Sequence, residues 1–336
     1  MELIKLNNLK DIYFTKEYGL IYEKNNEGKL EQYILETSNG KVIYNFLKRK
    51  IDLSKDEDLF DIITPYGYGG PLFLDYKNGT LEELIIEFKS KFEEYCKENK
   101  IVSEFIRFHP LIENYNNMDK YADIENIRET ICIELNSEEK IWSNISSKCR
   151  NMIRKAKKNN VKIVISNSQK DLDDFIKLYT ETMKKNNALE YYFFDENFFK
   201  NTYELINKNL TIFKAMYDEK CISSAMILNY GEYIHYHFSG SDINYGNLAA
   251  NNLLIYEVAK WGLNNGAKYF HLGGGYLGNN DSLFKFKKSF SKSENKKFYI
   301  GKKIHIKDKY DELVEVCKQE NKGNENINFF PQYRRY

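Results

Sequence analysis

The run LFKFKKSF at 283–290 sets Lys285 and Lys287 on either side of Phe286. Read as a short basic strand, this spacing turns both lysines to one side. Lys287 there offers a fixed positive charge to an oxyanion or a phosphate. It has a plain alternative as a surface lysine on a β-ribbon. Upstream, EYIHYHFSGSD at 232–242 carries His235 and His237, and YFHLGGG at 269–275 carries His271. A histidine titrates near neutral pH, so His237 can relay a proton. Each of the three histidines can equally be a packed structural residue. A second grouping is cationic: Lys148, Arg150, Arg154, Lys155, Lys157 and Lys158 fall within a dozen residues. Arg150 and Arg154 share a helix face at i, i+4 spacing, which suits a phosphate or RNA backbone; the alternative is a solvated helix surface.

The elements that must position these groups can be read from period and punctuation. Residues 233–239 alternate as a strand, with His235 and His237 on one face and Ile234, Tyr236 and Phe238 on the other. Asn251 or Asn252 can cap a following helix whose apolar positions Leu254, Val258 and Trp261 recur at i, i+4 and i+7, with Asn265-Gly266 as its stop. Residues 267–272 form a second strand, closed by Gly273-Gly274-Gly275. Strand, helix and strand of these lengths predict a right-handed crossover between parallel strands. The loop before the helix points N–H groups at its surroundings and suits an anionic group. The basic cluster lies in a helical region over 137–160, capped at Asn136 or Ser137.

Composition narrows the classes. The chain has 336 residues, enough for two domains, and 50 basic against 49 acidic residues give a net charge of +1. That balance exerts no global pull on nucleic acid or anionic membrane, so such binding must come from local patches. No apolar run approaches the roughly 18 residues needed to span a bilayer, and the first residues lack a signal-peptide core. The five cysteines are scattered without CxxC spacing. This excludes a disulfide framework or zinc site from the expectations and fits a reducing cytoplasm, with no metal ligands.

The first part of the chain reads as an α/β unit. Residues 13–22 and 31–46 look like strands and hairpins, the latter turning at Asn39-Gly40. Thr64 to Pro71 is a rigid loop of glycine, proline and aromatics. Residues 81–99 form an amphipathic helix, and 105–108 a buried strand ending at His109, a packed residue. Residues 114–126 read as a polar connection between domains. Beyond them come strands at 128–135, 161–166, 211–217 and 220–230 and helices at 170–185 and up to Asn207.

The order β–α–α–β–β–β–α–β over 129–300 resembles the acyltransferase fold of the GCN5-related N-acetyltransferases (GNAT). The ordered motifs resemble the FemABX family of peptidoglycan aminoacyltransferases. They are PYGYGGP (65–71), IRKAKKNNV (153–161), NALEYYFF (187–194), HYHFSGSD…LAANNLLIYEVAKWG…YFHLGGG (235–275), LFKFKKSF (283–290) and FFPQYR (329–334). The resemblance implies an α/β (α+β mixed sheet) fold in two tandem GNAT-like domains: 1–128 with a returning tail 309–336, and 129–308. It implies transfer of an aminoacyl group from aminoacyl-tRNA to an amine of a cell-wall precursor, with no separate cofactor. Phe286-Lys287 corresponds to the family's FKxxF pair, the lysine near the transfer centre, and Tyr191 and Tyr192 to its paired tyrosines near the acceptor groove. The family's phosphate-binding arginine has no arginine counterpart; Lys184 or Lys185 stands nearest. Lys285, Tyr236 and Asn251 complete the expected substrate contacts, His237 the catalytic ones, and Lys148, Arg150, Arg154 and Lys155 the tRNA contacts. The pyrophosphate loop of coenzyme A-using relatives is replaced by Asn247-Leu248-Ala249-Ala250-Asn251, which argues against a coenzyme A thioester. Two other readings stand beside this one. One is acyl-CoA-dependent N-acylation of an amino sugar or nucleotide sugar; the other is an inactive relative that binds tRNA or a nucleotide sugar.

Overall fold

The computed structural model describes residues 9–54, 57–77, 79–166, 168–186, 193–276, 281–320 and 329–334. The chain divides into two compact units. One comprises Tyr13–Ile127 with Phe298–Tyr336, the other Met1–Ile12 with Arg128–Lys297. Among the described residues no helix is long and apolar enough to cross a membrane.

The first unit begins with a helix where strands were expected. Thr15 caps α1 (Lys16–Lys24), its hydroxyl accepting from Tyr18 N, and Tyr18, Ile21 and Tyr22 are buried at helical spacing. The hairpin follows as read, β1 (Lys29–Thr37) pairing antiparallel with β2 (Gly40–Lys50) across Ser38-Asn39. Next come β3 (Phe60–Ile63), β4 (Leu72–Leu74), α2 (Leu81–Glu98) and β5 (Ile101–Arg107). Late in the chain, β12 (Lys296–Ile304) and α9 (Lys307–Glu320) return to this unit. The sheet order is β1–β2–β3–β5–β12, with β4 beside β2 and a parallel pair at β3–β5. Leu84, Ile85, Phe88 and Phe92 of α2 bury one sheet face, while Tyr310, Leu313, Val314 and Tyr333 pack on Val102. Residues 298–308, assigned to the second domain from sequence, group here because Ile300–Ile304 pairs with Ser103–Arg107 of β5. The polar stretch 114–126 is more than a connection: Met118 and Tyr121 are buried, and the Tyr121 hydroxyl donates to Glu104 at 2.5 Å.

The second unit holds a sheet ordered β6–β11–β10–β9–β8–β7. Its strands are β6 (Asp123–Glu134, entering this unit at Arg128), β7 (Lys162–Ile165), β8 (Leu210–Tyr217), β9 (Lys220–Tyr230), β10 (Tyr233–Ser241) and β11 (Tyr269–Gly273). The region 137–160 is two helices, α3 (Glu138–Asn144) and α4 (Ser147–Lys158), because Ile145 is extended and Ser146 starts a fresh cap. With α7 (Ala250–Asn264) they cover one face through Ile141, Ile153, Leu254 and Val258. On the opposite side lie α5 (Gln169–Lys185) and α6 (Glu196–Ile206), whose Tyr179 and Phe199 meet Phe238 of β10 ring to ring.

The parallel crossover is present: α7 links β10 to β11, which pair parallel at Tyr233–His235 and Tyr269–His271. Two details differ from the sequence reading. Asn251 does not cap α7, which starts from Ala249 in a left-handed conformation (φ 56°) while the Asn251 side-chain oxygen Oδ1 accepts from the Ser223 hydroxyl. Phe238 faces α5 and α6, opposite Ile234 and Tyr236, because a bulge at Tyr236–Phe238 breaks the alternation.

Helix α5 lies directly on β10 at Gly240, where a Cβ would fall 2.3 Å from backbone atoms of Leu178 and Tyr179. Gly240→Ala therefore forces two backbones apart. A loss of about 1–3 kcal/mol or more is expected by urea unfolding; an unchanged midpoint would show that α5 does not seat there.

Candidate active site

Three glycines end β11 and form the floor of the site. Gly273 has φ 73°, which favours glycine, and it follows a break in register against β6. A Cβ on Gly274 would lie 2.9 Å from the Glu129 carbonyl oxygen, and one on Gly275 would collide with the Asp281 carboxylate. Asp281 then caps α8 (Ser282–Lys288), its Oδ1 accepting from Phe284 N at 2.8 Å.

The segment expected as a strand is thus a helix, and its two lysines part company. Residues two apart on a helix diverge by about 200°. Lys285 is exposed, whereas Lys287 and Phe284 are buried. Lys287 Nζ donates to the Gly274 carbonyl at 2.8 Å. Burial pushes its pKa down to about 8, against the opposing pull of Asp281. Phe286 is half-buried, packing on the core and edge-on against Phe290.

Beside this floor the parallel β10–β11 ladder spans only three residue pairs. At the bulge just past it stands His237, its ring 4.0 Å from that of Phe238. Burial, helped by nearby His235, pushes its pKa down to about 3. His237 therefore stays neutral near pH 7 and does not titrate there as the sequence suggested. His235 Nε2 lies 2.7 Å from Asp11 Oδ2, both groups buried, and the His271 ring stands edge-on to it at 5.6 Å. Tyr236 is held by Ser239, with burial pushing its phenol up to about 12. Tyr276, at the end of the glycine turn, accepts from Asn186 Nδ2 at 2.8 Å. Lys185, one residue earlier on α5, is exposed. Tyr191 and Tyr192 lie outside the described residues.

The basic cluster separates into two kinds of residue. Arg150 closes the end of α3, donating to the carbonyls of Ile145 at 2.7 Å and Trp142 at 3.3 Å. Arg154 lies over the Trp142 ring at 5.2 Å and bonds Asn151. Lys148 and Lys155 are exposed. The sequence reading missed Asp281, although an Asp just before Ser-Leu-Phe is a legible cap signal. It also missed Asp11, which no local pattern ties to His235.

The chain is similar to known proteins in sequence and in fold. A family model described as an acetyltransferase (GNAT) domain matches residues 143–288. The UDP-N-acetylmuramoylpentapeptide-lysine N(6)-alanyltransferase of Weissella viridescens is 28% identical over 172 residues, 50% of this chain and 50% of that one. The crystal structure of FemX matches with a TM-score of 0.70 at 13% identity, covering 90% of this chain and 94% of the other. The chain thus resembles a FemABX-type alanyltransferase in part of its sequence and FemX in fold. The FemX likeness concerns fold alone and extends over both units of this chain. A conserved protein of unknown function from Bacteroides thetaiotaomicron VPI-5482 shares the fold more distantly, with a TM-score of 0.51 at 14% identity over 85% of this chain and 88% of that one. The aligned part spans about half the length of the alanyltransferase.

Two outcomes follow from this geometry. Lys287 holds its proton less tightly folded, at about 8, than at the ordinary value of 10.5. Between those values the unfolded chain binds the extra proton, so this lysine makes stability rise with pH across that window and leaves it flat below. Unfolding measured from pH 7 to 10.5 should show wild type gaining on Lys287→Met; parallel curves would contradict a buried ammonium. Arg150→Ala should cost about 1–3 kcal/mol of stability through its carbonyl partners. Lys148→Ala and Lys155→Ala should stay within about 0.5 kcal/mol, all three read by the same denaturation assay.

Proposed function

We propose that this protein, like the FemABX enzymes it resembles, transfers an aminoacyl group from aminoacyl-tRNA to an amine on the peptide of a peptidoglycan precursor. The observation that carries the reading is Lys287, a buried ammonium held at the glycine turn of the GNAT-like fold. Identity with an alanyltransferase acting on UDP-N-acetylmuramoylpentapeptide-lysine supports the choice of acceptor. The neutral acceptor nitrogen attacks the ester carbonyl carbon. A C–N bond forms, the C–O bond to the ribose breaks, and the amine proton passes to the ribose oxygen. Negative charge gathers on the carbonyl oxygen in between, and the buried Lys287 ammonium supplies the opposing charge. His237, held neutral, can donate or accept a hydrogen bond there without changing charge. Exposed Lys148 and Lys155 offer cations to the tRNA backbone, and Arg150 contributes by holding their helix in place. Charged tRNA is a cytoplasmic donor, so this reading implies the cytoplasm. The donor itself serves in place of a separate cofactor.

The test supplies purified protein with UDP-N-acetylmuramoylpentapeptide and either a mixture of aminoacyl-tRNAs or acetyl-CoA. Product is expected with the tRNA donors, falling about 10²-fold or more in Lys287→Met. The rate should also fall as pH rises through about 8, where Lys287 loses its proton. Turnover with acetyl-CoA and none with charged tRNA would replace this reading with the acyl-CoA one.

A further inference from the structure

We infer that Asp281 is a positioning residue for Lys287: its carboxylate fixes the start of α8 on the glycine turn and supplies the counter-charge for the buried ammonium. Neither Asp281 nor the turn does chemistry in this account. The consequence for turnover rests on the transferase reading above; the electrostatic relation rests on the geometry.

Four contacts make one assembly of the turn and the helix. Asp281 Oδ1 accepts from Phe284 N at 2.8 Å, and the Asp281 carbonyl accepts from Lys285 N at 3.1 Å, so this residue starts the first turn of α8. The carboxylate also lies flat against Gly275, where an added Cβ would come within 2.3 Å of Oδ2. One turn on, Lys287 Nζ donates to the Gly274 carbonyl at 2.8 Å and would lie 3.4 Å from a Cβ on Gly273. The helix is therefore pinned to the same three glycines at both ends, by a carboxylate and by an amine. A shift of α8 by one residue would break both attachments together.

Charge follows the same arrangement. Among the described residues, the charged groups on the elements around Lys287 lie on β6 and on α8 itself. Arg128 and Glu129 of β6 border Gly274, where the Glu129 carboxylate accepts from Asn295 at 2.6 Å. On α8 itself, Lys285 is exposed and Lys288 Nζ donates to the Ser293 carbonyl at 2.7 Å. Asp281 is the charge that acts on Lys287, and it opposes the desolvation that favours loss of the proton.

The test reads the ionisation of Lys287 directly. Competitive labelling with acetic anhydride across pH 6–11, with the Lys287 peptide followed by mass spectrometry, gives its titration midpoint. Asp281→Asn and Asp281→Ser keep a capping oxygen and remove the charge. In both, the midpoint should fall by about one pH unit, and the alkaline limb of kcat should move down with it. Gly275→Ala leaves Asp281 in the chain but displaces its carboxylate, and should lower the midpoint in the same direction. An unchanged midpoint in the neutral variants, or in Gly275→Ala should those not fold, overturns the inference. If wild-type protein transfers no aminoacyl group, the proposed function falls, while the labelling midpoints still decide the role of Asp281.

Discussion

A protonated amine removed from water is costly unless oxygen atoms replace its hydration. Lys287 meets that constraint with the carbonyl of Gly274 and the nearby charge of Asp281. Much of the second unit's local geometry serves this one demand. The glycine turn bends so that a carbonyl faces inward, and the absence of side chains on it lets helix α8 approach. The short parallel ladder of β10 and β11 ends before the turn, leaving Gly273 paired only with Ile131 of β6 on its other side. The buried amine remains more easily deprotonated than a surface lysine, and this makes its charge a property of the surrounding fold.

Around that centre the sheet is held by large apolar contacts that tolerate little change in spacing. Helix α7 buries Leu254, Ile255 and Val258 on one face, and α5 reaches the other at Gly240. The crossover places β11 beside β10 and thereby delivers the glycine turn. The aromatic rings of Tyr179, Phe199 and Phe238 fill the opposite side, where the bulge at His237 has turned Phe238 over. A bulge at this point gives His237 a setting different from that of His235, although the two are only two residues apart.

The long periodic elements were legible in the sequence. Helices α2, α5 and α7, the β1–β2 hairpin and the parallel crossover all follow from apolar spacing and turn residues, because burial of one face is a local pattern. Helix α8 was not, since Phe-Lys-Phe-Lys alternates like a strand, and seven residues are too few for a helical period to stand out. The break at Ile145 was hidden inside a charged run, so Arg150 looked like a surface cation when its carbonyl partners lie just beyond that break. Asp11 and His235 stand 224 residues apart, and only the folded chain brings them together. The motif order was enough to indicate the GNAT-like fold, while the ionisation of Lys287 and His237 required knowing what surrounds them.

The first unit is closed by residues from distant parts of the chain. Asp61 of β3 receives Arg49 from β2 and Arg334 from the tail, and Tyr333 shares a hydrogen bond with Ser103 at 2.6 Å. Strand β12 completes the sheet from beyond residue 297. During synthesis, this unit must therefore wait with an uncovered edge at β5 until the residues beyond 297 have been made. The second unit, drawn mainly from a contiguous stretch, can assemble in the interval. Order of synthesis and order of completion are thus reversed: the part begun early is finished last, and its open strand is the surface most exposed to mispairing while it waits.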